Sequence, residues 1–408
     1  MVLLVHPFGN ANVRGVLDAL QRNELLAKFV TTIAWSKDSD RNLAPRIRTA
    51  LRRNYDLPAE KIEIHPLRES VRLLAGRFRL GKLIEHETGW ASIDRVWQRL
   101  DGQTARRLRA GKYPGTRCVY AYEDCAEQIF RAGKERQLKC VYDLPIAFWQ
   151  IVQTLLREEA KRYPDWEPTL GATRDSQEKL ARKTRELELA DLVICPSQFV
   201  FESLPSEIRE QKRCLIVPFG TPTCELVEPK ATNSNGRLRV LFAGALSQRK
   251  GLADLFAAIK LIESKVIELV VMGSLIKPLN WYRQRLPEFT YEPPRAHANV
   301  LQLMQSCDVF VLPSIVEGRA LVQQEAMACG LPAITTRNAG ADDLISEGET
   351  GFLVPIRSPE SIAAKLDWCA QNRPHLRGMG IAAQKRAAQL TWHAYGEATV
   401  SAIRNLIS

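Results

Sequence analysis

Eleven short apolar runs, separated by stretches of helical period, constrain this chain more than any other feature. Six begin at Val2, Lys28, Cys118, Lys139, Asp191 and Cys214, and five more at Leu238, Ile267, Asp308, Pro332 and Gly351. Most are continuous rather than alternating, as in "DLVICPS" (191–197) and "DVFVLPS" (308–314). That is the pattern of parallel strands buried on both faces. Strand–helix alternation then gives βαβ units in doubly wound α/β sheets. Between the two sets, "GTPTCELVEPKATNSNGR" (220–237) is polar and aperiodic, so it reads as a linker. The expected plan is a first domain over 1–220, a linker over 221–237, a second domain over 238–385 and a terminal helix over 386–408. The echo between "ADLVICPS" and "CDVFVLPS" suits two sheets of similar design facing one cleft, with ligands at the carboxyl ends of the strands.

The 408-residue chain is 45% hydrophobic and 25% charged, a globular balance with room for two cores. Its start, "MVLLVHPFG", has too short an apolar run and no basic lead for a secretory leader. No apolar stretch approaches the ~20 residues of a bilayer span. Nine scattered cysteines without a Cys-x-x-Cys pair point to a reduced cytoplasmic compartment and no metal cluster. The net charge is +11, and residues 41–117 hold 18 Lys/Arg against 8 Asp/Glu. An anionic partner for that region is expected.

"PSIVEGRALVQQEAMACG" (313–330) sets Glu317 in a loop and Glu325 inside a helix closed by Gly330. The first N–H groups of such a helix lack internal partners and form an anion site. Glu325 lies four residues beyond Leu321, so ~6 Å along the axis, about the spacing from a diphosphate to its ribose. The plain alternative is that Glu317 favours the helix dipole and Glu325 is solvated. In "AGALSQRKGL", Arg249 and Lys250 stand at a helix start, where positive charge opposes the macrodipole unless an anion neutralises it. In "VHPFGNANVRG", Gly9 lets backbone approach a ligand, while His6, Asn10, Asn12 and Arg14 are candidates for the acceptor side. Glu123, Asp124 and Asp143 end strands of the first domain. Asp143 reads either as the cap of a helix starting near Pro145 or as a group orienting an acceptor hydroxyl. His297 reads as near a nucleotide base or as a surface cap.

"VLFAGALSQRKGLADL" (240–255), "ANVLQLMQSCDVFVLPS" (298–314), "PSIVEGRALVQQEAMACGLPAITT" (313–336) and "GETGFLVP" (348–355) together resemble family 4 glycosyltransferases with their E-x7-E signature. "HPFGNANVRGVLDAL" (6–20) and "ELADLVICPSQFV" (188–200) extend the resemblance into the first half, with residues 35–110 the weak part. The resemblance implies a GT-B fold: two Rossmann-like doubly wound domains facing a central cleft. It implies that Glu325 binds the ribose and Glu317 contacts the donor sugar. Arg249 and Lys250 would grip the diphosphate and, with Glu317, carry catalysis. Gly9, Gly244, Gly318, Arg319, Ala320, Leu321 and Val322 complete the donor site, and Glu123 and Asp143 join the acceptor side. Family members usually have Gly-Phe-Gly-Leu after the first Glu. Here Gly318-Arg319-Ala320-Leu321 stands there, and Arg319 is expected to reach phosphate or an acidic sugar.

The implied activity is retaining transfer of a hexosyl group from a UDP- or GDP-sugar to a glycan, lipid or small-molecule hydroxyl. No cofactor is expected. No metal is expected either, since no Asp-x-Asp ends a strand. The aromatic residues of the last helix, Trp392 and Tyr395, would pack back on the first domain. Two other readings stay open: a sugar-nucleotide epimerase of the same fold, and a nucleotide-binding scaffold at an anionic surface. Finally, "PRIRTALRRNY" (45–55) and "RESVRLLAGRFRLGKL" (68–83) read as basic amphipathic helices. They either pack their apolar sides on the sheet or contact an anionic membrane at its inner face. No nucleic-acid recognition motif is present.

Overall fold

The computed structural model describes residues 1–36, 53–222, 236–262 and 266–408. Most of the expected linker and of the first basic segment, residues 223–235 and 37–52, lies outside the described residues. The first sheet has seven parallel strands: β1 (Val2–Val5), β2 (Leu26–Thr31), β5 (Ile62–Ile64), β6 (Cys118–Tyr122), β7 (Lys139–Asp143), β8 (Leu192–Cys195) and β9 (Arg213–Ile216). Their order is β5-β2-β1-β6-β7-β8-β9. A separate two-stranded ladder pairs β3 (Trp35–Ser36) with β4 (Asn54–Tyr55). The second sheet, also parallel, contains β10 (Leu238–Ala243), β11 (Ile267–Met272), β12 (Thr290–Glu292), β13 (Val309–Leu312), β14 (Ala333–Thr335) and β15 (Gly351–Leu353). Its order is β12-β11-β10-β13-β14-β15.

The continuous apolar runs are the central strands. Every residue of β1, β8 and β13 is buried, because helices cover both faces. Strand order reverses beside β1 in one sheet and beside β10 in the other. The crevice for a ligand opens at such a reversal, outside the carboxyl ends of the strands. The loops after β1, β6, β10 and β13 therefore meet there.

Four elements depart from the sequence reading. The run 28–35 is not one strand: β2 stops at Thr31, and the Thr32 hydroxyl donates to the Pro7 carbonyl at 2.6 Å. The edge strands β5 and β12 are too short and polar to stand out in the sequence. The basic segment 68–83 forms a helix only over Leu67–Arg77, with Arg79 at φ +55° ending it.

Two elements pack deep into the opposite half. The helix Trp392–Ile407 lies on the helix Ala11–Arg22, so closely that a Cβ on Gly396 would stand 2.3 Å from the Gly15 carbonyl oxygen. Conversely, Trp166 follows the helix Trp149–Arg162 of the first half, yet it is buried in the core of the second sheet. Its ring meets Trp281 edge-on at 4.8 Å and lies 6.0 Å from Phe256. Replacing it with alanine should cost about 3–5 kcal/mol. The loss should appear by hydrogen exchange in Leu252–Leu261; a loss confined to the first sheet would contradict this packing.

Candidate functional site

A cationic cluster is built on the turn after β10. Gly244 ends that strand at φ +152°, and a Cβ there would stand 2.7 Å from the Lys250 side chain. Glycine thus allows Lys250 to fold over the strand end. Gln248–Lys250 form a single 3-10 turn, and the helix begins after it, at Leu252. Lys250 Nζ reaches Glu317 at 2.6 Å and Arg249 reaches the other carboxylate oxygen at 2.9 Å. The anion that the basic pair required is, in this state, Glu317. Burial pushes the Glu317 carboxyl up, but Lys250 and Arg249 outweigh it and hold the group below the ordinary carboxylate range. Two cations against one carboxylate leave the cluster with one positive charge.

The turn is held from behind by Gln248, which is fully buried. Its amide donates to Glu159 and Asp254, both at 2.7 Å, and its carbonyl accepts from Ala253 N–H at 2.8 Å. Arg357 pairs with Glu159, and Arg162 meets Asp254 at 2.6 Å. Glu159 and Arg162 belong to the first half of the chain, so both halves fix this turn.

Glu325 lies in the helix Leu321–Ala328, and its carboxylate meets His297 Nε2 at 3.0 Å. His297 opens the helix His297–Gln305, so the structure seats it against the second glutamate. Leu321 packs on the core of the first domain, while Val322 packs on that of the second. The Ala320 N–H is spent on the Ala339 carbonyl at 3.0 Å. The N–H groups of Leu321 and Val322 have no internal helical partner. Gly318 is pressed against the first domain: Ser197 Oγ donates to its carbonyl at 2.6 Å, and a Cβ would lie 1.7 Å from the Pro145 oxygen.

Arg319 departs from the sequence reading. It turns away from the cleft and is buried, with two nitrogens on Asp343 at 2.6 and 2.9 Å and Nε on Gln324 at 2.9 Å. A guanidinium spent on a bidentate pair reaches neither phosphate nor sugar.

The first-domain residues divide likewise. Gly9 makes room for Tyr55, whose hydroxyl a Cβ would meet at 1.9 Å. Arg14 braces that loop, with Nε on the Gly9 carbonyl at 3.1 Å and another nitrogen on Asn54 O at 2.6 Å. Asn10 is exposed at the start of the helix Ala11–Arg22 and caps nothing with its side chain. Asn12 is buried and donates to Asp143 at 3.0 Å. Asp143 caps no helix, since the next one starts at Trp149. Burial, offset in part by that hydrogen bond, pushes Asp143 up to about 7. His6 accepts from the Phe8 N–H at 2.9 Å, and burial brings it down to about 3, so it is neutral. Glu123 is a correction too. It is buried against Lys183 at 3.1 Å, in a network where Arg182 holds Asp124 at 2.8 Å. Gln248, Ser197 and Asp343 went unnoticed in the sequence, where each is one polar residue with no spacing to mark it.

With this geometry in view, the comparisons fall into place. Residues 225–386 match the family described as Glycosyl transferases group 1. The D-inositol 3-phosphate glycosyltransferase of Paenarthrobacter aurescens is 28% identical over 180 residues, 41% of this chain and 44% of that protein. The chain spans about half the length of the curated relatives it matches. Two solved structures share the fold over nearly the whole chain. The sucrose-phosphate synthase of Thermosynechococcus elongatus has a TM-score of 0.68 at 18% identity, covering 99% of this chain and 98% of that one. Anabaena HepE in complex with UDP and glucose has a TM-score of 0.62 at 16% identity, covering 99% of both. The architecture is GT-B. Residues 225–386, most of the second domain, are thus similar to the group 1 glycosyl transferases.

Asp143 is raised above its unfolded value of about 3.9, so its contribution to stability is full below that value and is lost as pH rises through 7. Asp101, also raised to about 7 by burial, and Glu186, raised to about 8 by burial, add in the same sense. Asp143→Asn should therefore shrink the fall in unfolding free energy between pH 5 and pH 8 by about 1–3 kcal/mol. Urea unfolding at the two pH values measures it; an unchanged fall would show that Asp143 titrates normally.

Proposed function

We propose that the chain is a retaining hexosyltransferase moving a sugar from a nucleoside-diphosphate sugar to a hydroxyl of a glycan, lipid-linked or small-molecule acceptor. One observation carries this reading: Lys250 and Arg249, after β10, close on Glu317, after β13, across the switch point of the second sheet. A diphosphate entering there bears more charge than the single carboxylate and competes for both cations. Glu317 is then released to accept from hydroxyls of the donor sugar. Glu325, in the helix Leu321–Ala328 that follows, offers two oxygens to a ribose.

In the transfer step, the bond from the anomeric carbon to the diphosphate oxygen breaks and its electron pair stays on that oxygen. Arg249, Lys250 and the free N–H groups of Leu321 and Val322 stabilise the developing charge. The acceptor oxygen bonds to the anomeric carbon on the same face, and its proton passes to the departing oxygen. No protein base is required, which suits an Asp143 carboxyl and a His6 ring that are both buried and engaged. The side-chain cations take the place of a metal, and no cofactor enters. The UDP and glucose held by HepE support a nucleotide sugar as donor, with UDP or GDP as its nucleotide. The scattered cysteines favour a cytoplasmic setting for the reaction.

Isothermal titration with nucleoside diphosphates tests the assignment. Glu325→Ala should weaken binding by about 1–3 kcal/mol, and Lys250→Ala should weaken the diphosphate far more than the free nucleoside. Equal affinity of Glu325→Ala and the parent would remove the ribose role. Donor turnover should persist in excess EDTA. Activity abolished by EDTA and restored by Mn²⁺ would overturn the metal-free reading.

A further inference from the structure

The helix Leu67–Arg77 is inverted. The side chains it buries are Glu69 and Ala75, and Glu69 is fixed by Arg53 and by Arg72 at 2.7 Å. Its apolar side faces out: Leu67, Leu74 and Phe78 are 67%, 55% and 66% exposed. These positions are seven and four residues apart, so they form one stripe. Leu80, Trp90 and Ile93 continue it. Eight of the fifteen large apolar side chains exposed among the described residues fall within Ile64–Ile93. Single exposed apolar residues are ordinary, but a concentration of this kind marks an interaction surface.

The charge around the stripe is predominantly positive, with Glu85 the exposed acid among it. Arg77, Arg79, Lys82, Arg95 and Arg99 are exposed, and with Arg68 they form no ion pair among the described residues. Most nearby acids are already engaged by cations, Glu69 as above, Glu63 by Arg107 at 2.9 Å and Asp94 by Lys179 at 2.9 Å, while Glu85 accepts from the Thr88 hydroxyl at 3.0 Å. Arg68 lies over the Trp90 ring at 5.1 Å, and its guanidinium bonds the Arg95 carbonyl at 3.0 Å. Burial and then Arg99 and Arg95 lower its pKa, the mark of guanidinium groups crowded without a counterion. A second copy of the chain would bring like charge against like charge here. An apolar stripe fringed by unpaired Arg and Lys instead matches a bilayer surface, apolar below and anionic at the headgroups.

We propose that the face Ile64–Arg99 docks the protein on membranes containing anionic phospholipid. The face adjoins the cleft: Arg72 and Arg53 lie over the Phe8 ring at 5.5 and 5.2 Å, and Phe8 belongs to the loop after β1. Resting on the transferase reading of that cleft, the acceptor is then a hydroxyl carried on a membrane-anchored molecule. Docking itself needs no transfer, so its failure would leave the proposed reaction standing.

The test is co-sedimentation of the full chain with phosphatidylcholine vesicles, with and without phosphatidylglycerol, at low and high salt. Binding should require phosphatidylglycerol and weaken with salt. It should fall roughly tenfold or more in Arg68→Gln/Arg95→Gln/Arg99→Gln, and comparably in Leu74→Ser/Phe78→Ser/Leu80→Ser. Circular dichroism on both variants should match the parent. No binding, equal binding to neutral vesicles, or binding indifferent to both variants overturns the proposal. So does a dimer in sedimentation velocity that the Leu74→Ser/Phe78→Ser/Leu80→Ser change dissolves, since a second copy would then own the face. Full protection of Leu74 and Phe78 from surface labelling in the lone monomer also overturns it, by assigning the cover to the chain itself.

Discussion

The hydrogen bonds that Gln248 makes to Glu159 and Asp254 decide how the two halves meet. All three side chains are fully buried. Two carboxylates without water must be neutralised, and Arg357 and Arg162 supply the charge. Removing any one member strands a buried charge or dipole, so the group stands or falls as a unit. Glu159 comes from the first half and Gln248 immediately precedes Arg249. The orientation of the cationic turn is therefore set by a helix that belongs, by sequence, to the other half of the molecule. Trp166 and the Thr169 hydroxyl, which accepts from the Gln248 N–H at 3.1 Å, extend the same joint. Any opening of the cleft has to pivot about this joint rather than separate it.

The α/β architecture was legible because strands buried on both faces must be continuously apolar, and that signal survives without neighbours. β5 and β12 were not, since edge strands of three residues carry no pattern. The reach of Trp166 into the second core was invisible, because burial reports on the fold and not on sequence order. At the site, the sequence drew attention to Arg249, Lys250, Glu317 and Glu325 by residue type and spacing, and the structure brings the first three into contact. It misread Arg319, which has the length to reach a ligand but finds Asp343 first. Glu123 and Asp143 were read as cleft groups because they end strands. The charges that claim them, or the amide that does, come from residues 40 or more positions away, which no local pattern encodes.

The cleft is polarised by these arrangements. On the second-domain side two cations meet one carboxylate, while on the first-domain side His6 is neutral and the acids are paired or proton-retaining. An incoming anion is thus drawn to one wall, and the opposite wall offers polar but largely uncharged groups. If the proposed transfer is the reaction, this separates the binding of its two substrates in space by charge rather than by shape alone. The pairing of Glu317 with Lys250 and Arg249 also keeps the unliganded site from holding two bare, half-buried cations, at the cost of a contact that any ligand must first exchange.

The helix Trp392–Ile407 gives the chain a particular history of assembly. Tyr395, Val400, Ala402 and Ile403 are part of the same buried cluster as Val2, Leu4, Val13 and Leu17. During synthesis the first sheet emerges before the second, but one face of its core remains uncovered until residues 392–407 have left the ribosome. Domains that fold in order of emergence usually close their cores before the next domain appears. Here the second domain can complete its own core first, and the core of the first sheet is sealed after it. For that interval the nascent chain carries an open apolar surface between two finished layers, a period in which holding by a chaperone matters most.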